Sequence, residues 1–245
     1  PSKALLYNAE LVSLLGRADE FGISFENLKL DYGKAISRSR RVVQRLTRGV
    51  ESLLKKNNVT IVRGEAILKD SQTLEIKDLG QQITATTIVL ATGAHPKELE
   101  VIRPDGFRIL TSRHALDLNR LPTSLAIVGG GAIGCEFAYL YNAYGVSVTI
   151  IEVLPHLLPN EDEDISHLLE QSFSKRGIQI LTNTEIREAL ATEDEVAIKV
   201  VSETHDNLTM KFDQVLMAVG IQGNVHGLGL ENVGVQVENG FIKVN

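Results

Sequence analysis

The stretch LAIVGGGAIGCEFAYLYNAYGVSVTIIE, residues 125–152, determines the fold class. It predicts a buried strand, a glycine turn, a helix and a second buried strand, which together make one βαβ unit. Leu121, Pro122 and Thr123 break the preceding pattern and introduce the first strand. Further strands are predicted in the runs IQILTN, EVAIKVVSE and QVLMAVG that follow. The chain is therefore expected to be an α/β protein.

The glycine turn carries the pattern GxGxxG, formed by Gly129, Gly131 and Gly134. In dinucleotide-binding proteins the first glycine makes the tight turn, the second admits a pyrophosphate and the third lets helix and strand pack closely. Glu152 ends the second strand, 23 positions after Gly129, where a carboxylate binds the adenosine ribose hydroxyls. The alternative is a tight turn in an ordinary βαβ unit. Gly145 precedes the second predicted strand. Because the GxGxxG motif, Gly145 and Glu152 occur together, we predict a dinucleotide site.

Glu152 also predicts which dinucleotide binds. A 2′-phosphate within hydrogen-bond distance of this carboxylate would be repelled by roughly 1–4 kcal/mol, depending on the effective dielectric constant. The following residues 153–158, VLPHLL, contain no Arg or Lys to pair with such a phosphate. We therefore expect NAD rather than NADP.

Two side chains beside the glycine turn have alternative interpretations. Glu136 follows the third glycine by two residues and is expected in the first turn of the helix, where its carboxylate either has a function or caps the helix through the macrodipole. Cys135 lies where a helix N-terminus would stabilise a thiolate, or it packs the helix against the sheet as a small apolar residue.

Composition excludes several classes of protein. Of the 245 residues, 43% are hydrophobic and 23% are charged, which is typical of globular proteins and not of disordered ones. No apolar run approaches the roughly 18 residues of a membrane span, and a net charge of −6 argues against a nucleic-acid partner. Cys135 is the single cysteine, so no internal disulfide forms. The histidines lack metal-ligand spacing, and no metal is expected: His95, His114, His156, His167, His205 and His226.

Helices and a strand meander precede the βαβ unit. The segment ALLYNAELVSLL predicts a first helix, and a second is expected from about 31 to 56. That helix has one apolar face (Ile36, Val43, Leu46, Val50 and Leu53) and an opposite arginine face (Arg38, Arg41, Arg45 and Arg48). The arginine face either is solvated or meets an acidic partner. Alternating apolar residues then predict strands within 59–68, 72–78 and 83–93, and a later helix ending near Arg176 is predicted to start at an Asn160 N-cap followed by Glu163.

An internal repeat indicates how the domains are organised. Two segments, TTIVLATGA and DQVLMAVGI, share one pattern: a predicted apolar strand that ends in a small residue, one further residue and a glycine. The two glycines are Gly93 and Gly220, which are 127 positions apart. We interpret them as parts of two related nucleotide-binding units, the second inserted in the first. The second contains the glycine motif, whereas the first has none before Gly93, and we expect its motif upstream of Pro1.

These motifs together resemble the pyridine nucleotide-disulfide oxidoreductases, in particular their dihydrolipoamide dehydrogenase branch. The resemblance rests on PSKALL at the start, ATG at 91–93, GGGAIGCE at 129–136, VTIIE ending at Glu152, and AVG followed by Asn224 and GLGLENVGV. It implies two nested Rossmann-like FAD/NAD(P)-binding domains, the first incomplete. The predicted domains are a partial FAD-binding domain at 1–115, an NAD-binding domain at 116–235 and the start of a return to the FAD domain at 236–245.

The resemblance also implies roles for individual residues. Lys3 would approach flavin N5 and pair with Glu136, the two being the implied catalytic residues, although Lys3 alone is an ordinary helix-start lysine. The implied FAD contacts are Ala66, Thr92, Gly93 and Ala94. The implied NAD contacts are Gly129, Gly130, Gly131, Ala132, Ile133, Gly134, Cys135, Glu136, Glu152, Ile186 and Gly220. The segment 221–224, IQGN, departs from the usual GRxPN because it lacks Arg and Pro.

The resemblance finally implies an activity and partners. A family member of this branch oxidises dihydrolipoyl groups of 2-oxo acid dehydrogenase complexes, passing electrons from dithiol to disulfide to FAD and then as hydride to NAD. It acts as a homodimer in the cytoplasm, or in the mitochondrial matrix of a eukaryote. The redox disulfide, the FAD motif and the dimerisation domain are expected outside this segment, which by itself is expected not to turn over. Another flavin disulfide reductase, of the mercuric or glutathione reductase type, and an NAD-binding module without turnover are the alternatives.

Overall fold

The computed structural model describes residues 1–202 and 207–244. Its helices are α1 (Ser2–Leu15), α2 (Tyr32–Lys56), α3 (Ser112–Ala115), α4 (Ala132–Ala143) and α5 (Glu163–Lys175). Its strands are β1 (Ala66–Leu68), β2 (Thr73–Ile76), β3 (Gln81–Thr84), β4 (Ala94–Pro96), β5 (Ile109–Thr111), β6 (Ser124–Val128), β7 (Ser147–Ile151), β8 (Gln179–Leu181), β9 (Thr184–Ala191), β10 (Val196–Ser202), β11 (Leu208–Phe212), β12 (Gln214–Met217), β13 (Ile221–Gly223), β14 (Val237–Glu238) and β15 (Phe241–Ile242). Short 3-10 helices lie at Ala18–Phe21, Lys77–Leu79 and Leu230–Val233.

The chain divides into two compact units. The first comprises residues 1–47 and 96–220, and the second comprises residues 48–95 and 221–245. The predicted boundaries at 115 and 235 refer to cofactor binding, whereas these units are defined by packing. The domain assignment therefore stays a prediction.

A parallel sheet organises the first unit. Its strand order is β5-β12-β6-β7-β8, and the neighbouring strands are parallel. Alternate residues of β6 point to opposite faces: Leu125 and Ile127 pack with the helices, including α1 and α4, while Ala126 and Val128 pack with the antiparallel β9–β11 layer. Because both faces are covered, these strands are apolar almost throughout. The predicted βαβ unit is confirmed as β6, α4 and β7.

The second unit contains the predicted meander, in shortened form. Strands β1, β2 and β3 pair in antiparallel order, as expected. The predicted strands at 59–68 and 83–93 are wrong over most of their length, since only residues 66–68 and 83–84 belong to strands, and Val89 is 83% exposed. Apolar alternation makes a strand only where another strand completes the ladder, and residues 59–65 and 85–93 have none among the described residues. The first half of the internal repeat is therefore irregular, while the second half forms β12.

Helix α2 begins within one residue of the predicted position and ends at Lys56 as predicted. Its face is buried only towards its N-terminus, where Tyr32, Ala35, Ile36 and Ser39 are covered. Farther along, Leu46, Val50 and Leu53 of the predicted apolar face are exposed. On the arginine face, Arg38 is only half-buried and donates to the Ala4 carbonyl at 3.3 Å.

The start of α5 differs from the prediction. Asp162, and not Asn160, is the N-cap, and its side chain accepts a hydrogen bond from the Asp164 N–H at 3.0 Å. The Glu161 N–H instead donates to the Leu158 carbonyl at 2.9 Å, so Asn160 lies inside a turn that precedes the helix. The predicted end near Arg176 is confirmed.

Among the described helices, none is long and apolar enough to cross a membrane. Within the same residues, no cluster of three His, Cys, Asp or Glu side chains could hold a metal ion. His205, one of the histidines considered above, lies outside the described residues.

Candidate functional site

The glycine turn between β6 and α4 has the geometry that a pyrophosphate loop requires. Gly129 adopts a φ of 106°, and a Cβ there would collide with the Ala218 carbonyl at the end of β12. A Cβ on Gly134 would collide with the Gly129 carbonyl, so α4 lies close against the turn. A Cβ on Gly131, by contrast, would meet open space. The first and third glycines are needed for packing, and the second leaves room for a ligand.

The N-terminus of α4 begins at this open position. Gly131 is the N-cap, and no side chain caps the helix. The first backbone N–H groups of a helix have no intrahelical acceptor, and the helix dipole makes this end positive. In this part of the described chain, the donors are therefore available to an anion such as a pyrophosphate.

Glu152 is held against the glycine turn. The residue is only 6% exposed. Its Oε2 accepts a hydrogen bond from the Gly130 N–H at 2.5 Å, and its Oε1 accepts one from the Leu154 N–H at 2.8 Å. A carboxylate has about four lone-pair positions, so roughly two acceptor positions are left after these bonds. Glu152 thus orders the loop and still has acceptor capacity for ribose hydroxyls.

The segment after β7 supports the turn in a way that sequence reasoning missed. The Leu158 N–H donates to the Gly130 carbonyl at 2.9 Å, and a Cβ on Gly130 would lie 2.5 Å from a Leu157 methyl group. Glu170 on α5 in turn accepts the Leu157 N–H at 2.9 Å. Of the three consecutive glycines, Gly129 and Gly130 have no room for a Cβ, whereas Gly131 does. The extra glycine at 130 was the sequence signal from which this close contact could have been predicted.

Cys135 is a packing residue. Its side chain is buried, and Sγ donates to the Gly130 carbonyl at 3.3 Å. Burial raises the pKa of the Cys135 thiol to about 12, with smaller contributions from the negative charges of Glu152 and Glu170. The thiol is therefore protonated at neutral pH, which favours the packing interpretation over the thiolate one.

Glu136 is the fifth residue of α4 and lies beyond the first turn. The effect of the helix dipole is confined to the first turn, so the capping interpretation does not hold. Glu136 Oε1 instead contacts Lys3 Nζ, which lies on α1, 133 positions earlier. The structure thus brings together the two residues that the resemblance pairs. The Lys3 side chain is 80% exposed and the Glu136 side chain is 35% exposed, so the ion pair is in contact with solvent.

The other expected nucleotide contacts surround the same sheet. Gly220 follows β12 with a φ of 107° and open space at its Cβ position. Ile186 on β9 is buried in the apolar cluster with Val200 and Val128, so only its backbone can approach a nucleotide. Ala132 and Ile133 form the first turn of α4 beside the open Gly131.

Apart from Lys3, the residues expected to contact flavin lie in the second unit. Ala66 is half-buried in β1 opposite Ile76. Thr92 and Gly93 are exposed in an irregular loop that leads into Ala94 at the start of β4. Asn224 bonds this loop, donating from Nδ2 to the Thr92 carbonyl at 2.9 Å and from its backbone N–H to the Gly93 carbonyl at 3.0 Å. This role of Asn224 was missed because residues 221–224 were compared only with the GRxPN pattern, whose Arg and Pro are absent here.

Residues 1–245 match the family described as pyridine nucleotide-disulphide oxidoreductase. The chain belongs to this family. Its members use FAD and NAD, and the Rossmann-like α/β fold and flavoprotein oxidoreductase class expected from the sequence are confirmed.

Individual relatives define the branch of the family more closely. The chain is 38% identical over 248 residues to the dihydrolipoyl dehydrogenase of Chlorobaculum parvum, covering 100% of this chain and 53% of that protein. It is 39% identical over 249 residues to that of Chlamydia pneumoniae, covering 100% and 52%. The chain therefore spans about half the length of the curated relatives it matches.

Solved structures give the same relationship. The structure of LpdA from Mycobacterium tuberculosis superimposes with a TM-score of 0.85 at 32% identity, covering 98% of this chain and 52% of that one. The HOCl-induced flavoprotein disulfide reductase RclA from Escherichia coli superimposes with a TM-score of 0.79 at 27% identity, covering 98% and 50%. The similarity to these proteins is therefore found in the backbone structure as well as in the sequence.

Proposed function

We propose that this chain supplies the NAD-binding part of a flavoprotein that oxidises dihydrolipoyl groups and transfers hydride through FAD to NAD. The observation that carries the proposal is the glycine turn, where the open Gly131 and the uncapped N-terminus of α4 lie beside the Glu152 carboxylate. The relatives named dihydrolipoyl dehydrogenase, which match essentially the whole chain, support this substrate class.

The residues of the turn fit a dinucleotide. Backbone N–H groups of Gly131, Ala132 and Ile133 would bind the pyrophosphate, because a helix N-terminus favours an anion and no side chain occupies this place within the described residues. Glu152 would accept hydrogen bonds from the hydroxyls of the adenosine ribose, using the lone pairs that are not bonded to the N–H groups of Gly130 and Leu154. A carboxylate at this position disfavours a 2′-phosphate, so NAD is the proposed dinucleotide.

Lys3 and Glu136 are proposed to act at the flavin. Flavin, when bound, supplies the electron-transfer chemistry that links the dithiol to the nicotinamide. Glu136 pairs with the ammonium group of Lys3, and Lys3 would present its positive charge to hydrogen-bond acceptor atoms of the bound flavin. Ala66, Thr92, Gly93 and Ala94 are proposed to line the flavin site through their backbone.

The partners follow from the same proposal. The dithiol substrate is carried on a dihydrolipoyl domain of a 2-oxo acid dehydrogenase complex, and the intact protein is a homodimer in the cytoplasm or mitochondrial matrix. A second candidate is a flavin disulfide reductase with a different substrate, supported by the likeness to RclA. A third is an NAD-binding module without turnover, which requires only the glycine turn and Glu152.

Nucleotide titration and turnover assays separate these candidates. NADH and NADPH are titrated against this chain, following nicotinamide fluorescence. The reduction of NAD by dihydrolipoamide is then measured with the full-length, FAD-loaded protein that contains the chain. Preferential NADH binding with turnover supports the proposal. NADH binding without turnover of dihydrolipoamide supports the two alternatives, and preferential NADPH binding or no nucleotide binding contradicts the assignment of the glycine turn.

A further inference from the structure

Asn224 connects with three positions of one loop in the second unit. Its side-chain Nδ2 donates to the Thr92 carbonyl at 2.9 Å, its backbone N–H donates to the Gly93 carbonyl at 3.0 Å, and its Oδ1 lies 2.7 Å from His95 Nδ1. The side chain of Asn224 is only half-buried, so these bonds are not a consequence of confinement in a core. One residue, 129 to 132 positions away in the chain, thus holds the segment from Thr92 to His95. We call this segment the Thr92–His95 loop; it comprises the last two residues of the irregular stretch and the first two of β4.

The chemistry of these contacts determines where the protons lie. A backbone carbonyl can only accept a hydrogen bond, so the amide nitrogen of Asn224 must face Thr92 and its oxygen must face His95. An amide oxygen can only accept, and His95 Nδ1 must therefore carry a proton. In neutral His95 this leaves Nε2 as the acceptor nitrogen, and protonation at Nε2 leaves the bond to Asn224 intact.

The loop has few other means of holding its position. Residues 85–93 belong to no helix or strand, and Ala91, Thr92 and Gly93 are exposed. Gly93 has a φ of 70°, a left-handed conformation that glycine adopts without strain. Exposed irregular backbone of this kind samples many conformations unless it is bonded to a fixed element. Asn224 directly follows β13, which pairs with β4 in the sheet at the end of the loop.

We propose that Asn224 is a positioning residue that holds the Thr92–His95 loop for the flavin and keeps His95 in its Nδ1–H form. The flavin part rests on the proposed function, whereas the hydrogen-bond assignment rests on the contacts of Asn224 alone. Asn224 itself touches neither cofactor in this assignment and acts through the backbone of Thr92 and Gly93.

The first experiment tests the hydrogen bonds without cofactor. Nitrogen NMR of the His95 ring distinguishes its tautomers, and hydrogen exchange reports on the amides of residues 91–95. Wild-type protein is expected to show the Nδ1–H form. Asn224→Ala is expected to lose that preference and to raise loop exchange at least about tenfold, which corresponds to roughly 1.4 kcal/mol. An unchanged tautomer and unchanged exchange in Asn224→Ala would overturn the proposal.

Two further variants make the test specific. Asn224→Asp keeps an acceptor for His95 but has no donor for Thr92, so it is expected to keep the tautomer and lose the loop protection. Asn232→Ala is the matched control, because Asn232 also donates from Nδ2 to a distant carbonyl of this unit, that of Leu68 at 2.7 Å. It is expected to leave both readouts of the Thr92–His95 loop unchanged, and a change equal to that of Asn224→Ala would indicate general loosening and overturn the assignment.

The second experiment measures FAD affinity by equilibrium dialysis with the full-length protein that contains this chain, because the FAD motif is expected upstream of Pro1. Asn224→Ala is expected to bind FAD at least about tenfold more weakly than wild type and Asn232→Ala, with NADH affinity unchanged. Equal FAD affinity would overturn the positioning role for flavin while the hydrogen-bond result stands. Absence of FAD binding by the wild type would contradict the proposed flavin function, and the NMR result would still decide the assignment of Asn224.

Discussion

At the scale of single residues, Glu152 has two tasks that one carboxylate performs together. It orders the glycine turn through the N–H groups of Gly130 and Leu154, and it supplies negative charge where the proposed ribose lies. The sequence predicted only the second task, because the first depends on how the chain turns after β7.

Glu152→Ala is expected to reduce the preference for NADH over NADPH by at least about tenfold, equivalent to roughly 1.4 kcal/mol. The reason is that the repulsion of a 2′-phosphate disappears with the carboxylate. Fluorescence titration with both nucleotides measures the ratio of the dissociation constants. Glu152→Gln is the control for loop order, since its amide oxygen still accepts one backbone bond, and it should narrow the preference with a smaller loss of thermal stability. An unchanged ratio in both variants contradicts the prediction.

Lys3→Ala is expected to change the stability of this chain by no more than about 0–1 kcal/mol, because an exposed ion pair contributes little. The same substitution is expected to slow flavin reduction strongly in the flavin-loaded enzyme. Urea denaturation measures the first quantity and stopped-flow absorbance the second. Lys34→Ala is a suitable control, since Lys34 also forms an exposed ion pair, with Asp31. Flavin reduction at the wild-type rate in Lys3→Ala would show that Lys3 is only a helix-start residue.

Cys135 is expected to resist alkylation in the folded protein at pH 8, because the pKa of its buried thiol is raised to about 12 and little thiolate is present. After unfolding in urea, the same thiol should react at the rate of a free cysteine. Mass spectrometry after timed iodoacetamide treatment measures both rates. Comparable rates in the two states would mean that the glycine turn opens readily.

At the scale of elements, α5 shows how an N-cap depends on the turn before it. Asn160 and Asp162 are both good capping residues, and sequence alone favours the first because Glu163 follows three positions later. The hydrogen bond between Glu161 and Leu158 closes a turn over Asn160 and leaves Asp162 as the cap.

Asp162→Ala is therefore expected to destabilise the protein by about 1 kcal/mol, within the range of roughly 0.5–2 for the loss of an N-cap. Asn160→Ala, the matched control two positions earlier, should change stability by less than about 0.5 kcal/mol, as for ordinary surface substitutions. Urea denaturation of both variants gives the comparison. A larger loss in Asn160→Ala would restore the cap that the sequence predicted.

At the scale of the whole molecule, Asp213 bonds two neighbouring strands of the parallel sheet, β12 and β6, across a sequence separation of 90 residues. Its carboxylate accepts hydrogen bonds from the hydroxyl and the N–H of Thr123, the latter at 2.7 Å, and its own N–H donates to Ser124 Oγ at 2.9 Å. These residues lie just before and at the start of β6, while Asp213 directly precedes β12. The side-chain bond from Thr123, the backbone bonds and the nearby charge of Arg108 lower the pKa of Asp213.

This lowered pKa has a consequence for stability in acid. Because the pKa of Asp213 is lower in the folded than in the unfolded chain, its contribution is present above the unfolded value, near 3.8, and is lost as pH falls through the folded value. Asp213→Asn is therefore expected to be less stable than wild type at pH 6 and to lose less stability between pH 6 and pH 3. Urea midpoints across this range measure the slope, with Asp78→Asn on an exposed 3-10 helix as the control. Parallel slopes for wild type and Asp213→Asn would contradict the prediction.

Local signals were sufficient for the elements that carry their own pattern. The strand, glycine turn, helix and strand of residues 125–152 are encoded by apolar runs and by the short spacing of the glycines between them. The same holds for the ends of α2 and the end of α5. The predicted strands at 59–68 and 83–93 proved too long because a strand requires a partner that its own residues do not encode, and residues 59–65 and 85–93 have none among the described residues.

The sequence by itself determined the α/β class, the βαβ unit, the nucleotide motif and the position of Glu152, since each depends on periodicity or on spacing within about 30 residues. Only the tertiary structure decided that Lys3 reaches Glu136, that Asp162 caps α5, that Cys135 is a buried thiol and that Asn224 bonds the Thr92–His95 loop. These contacts join residues by packing and hydrogen bonding in space. Their partners carry no common local pattern, because the free energy that selects them arises only when the distant segments meet.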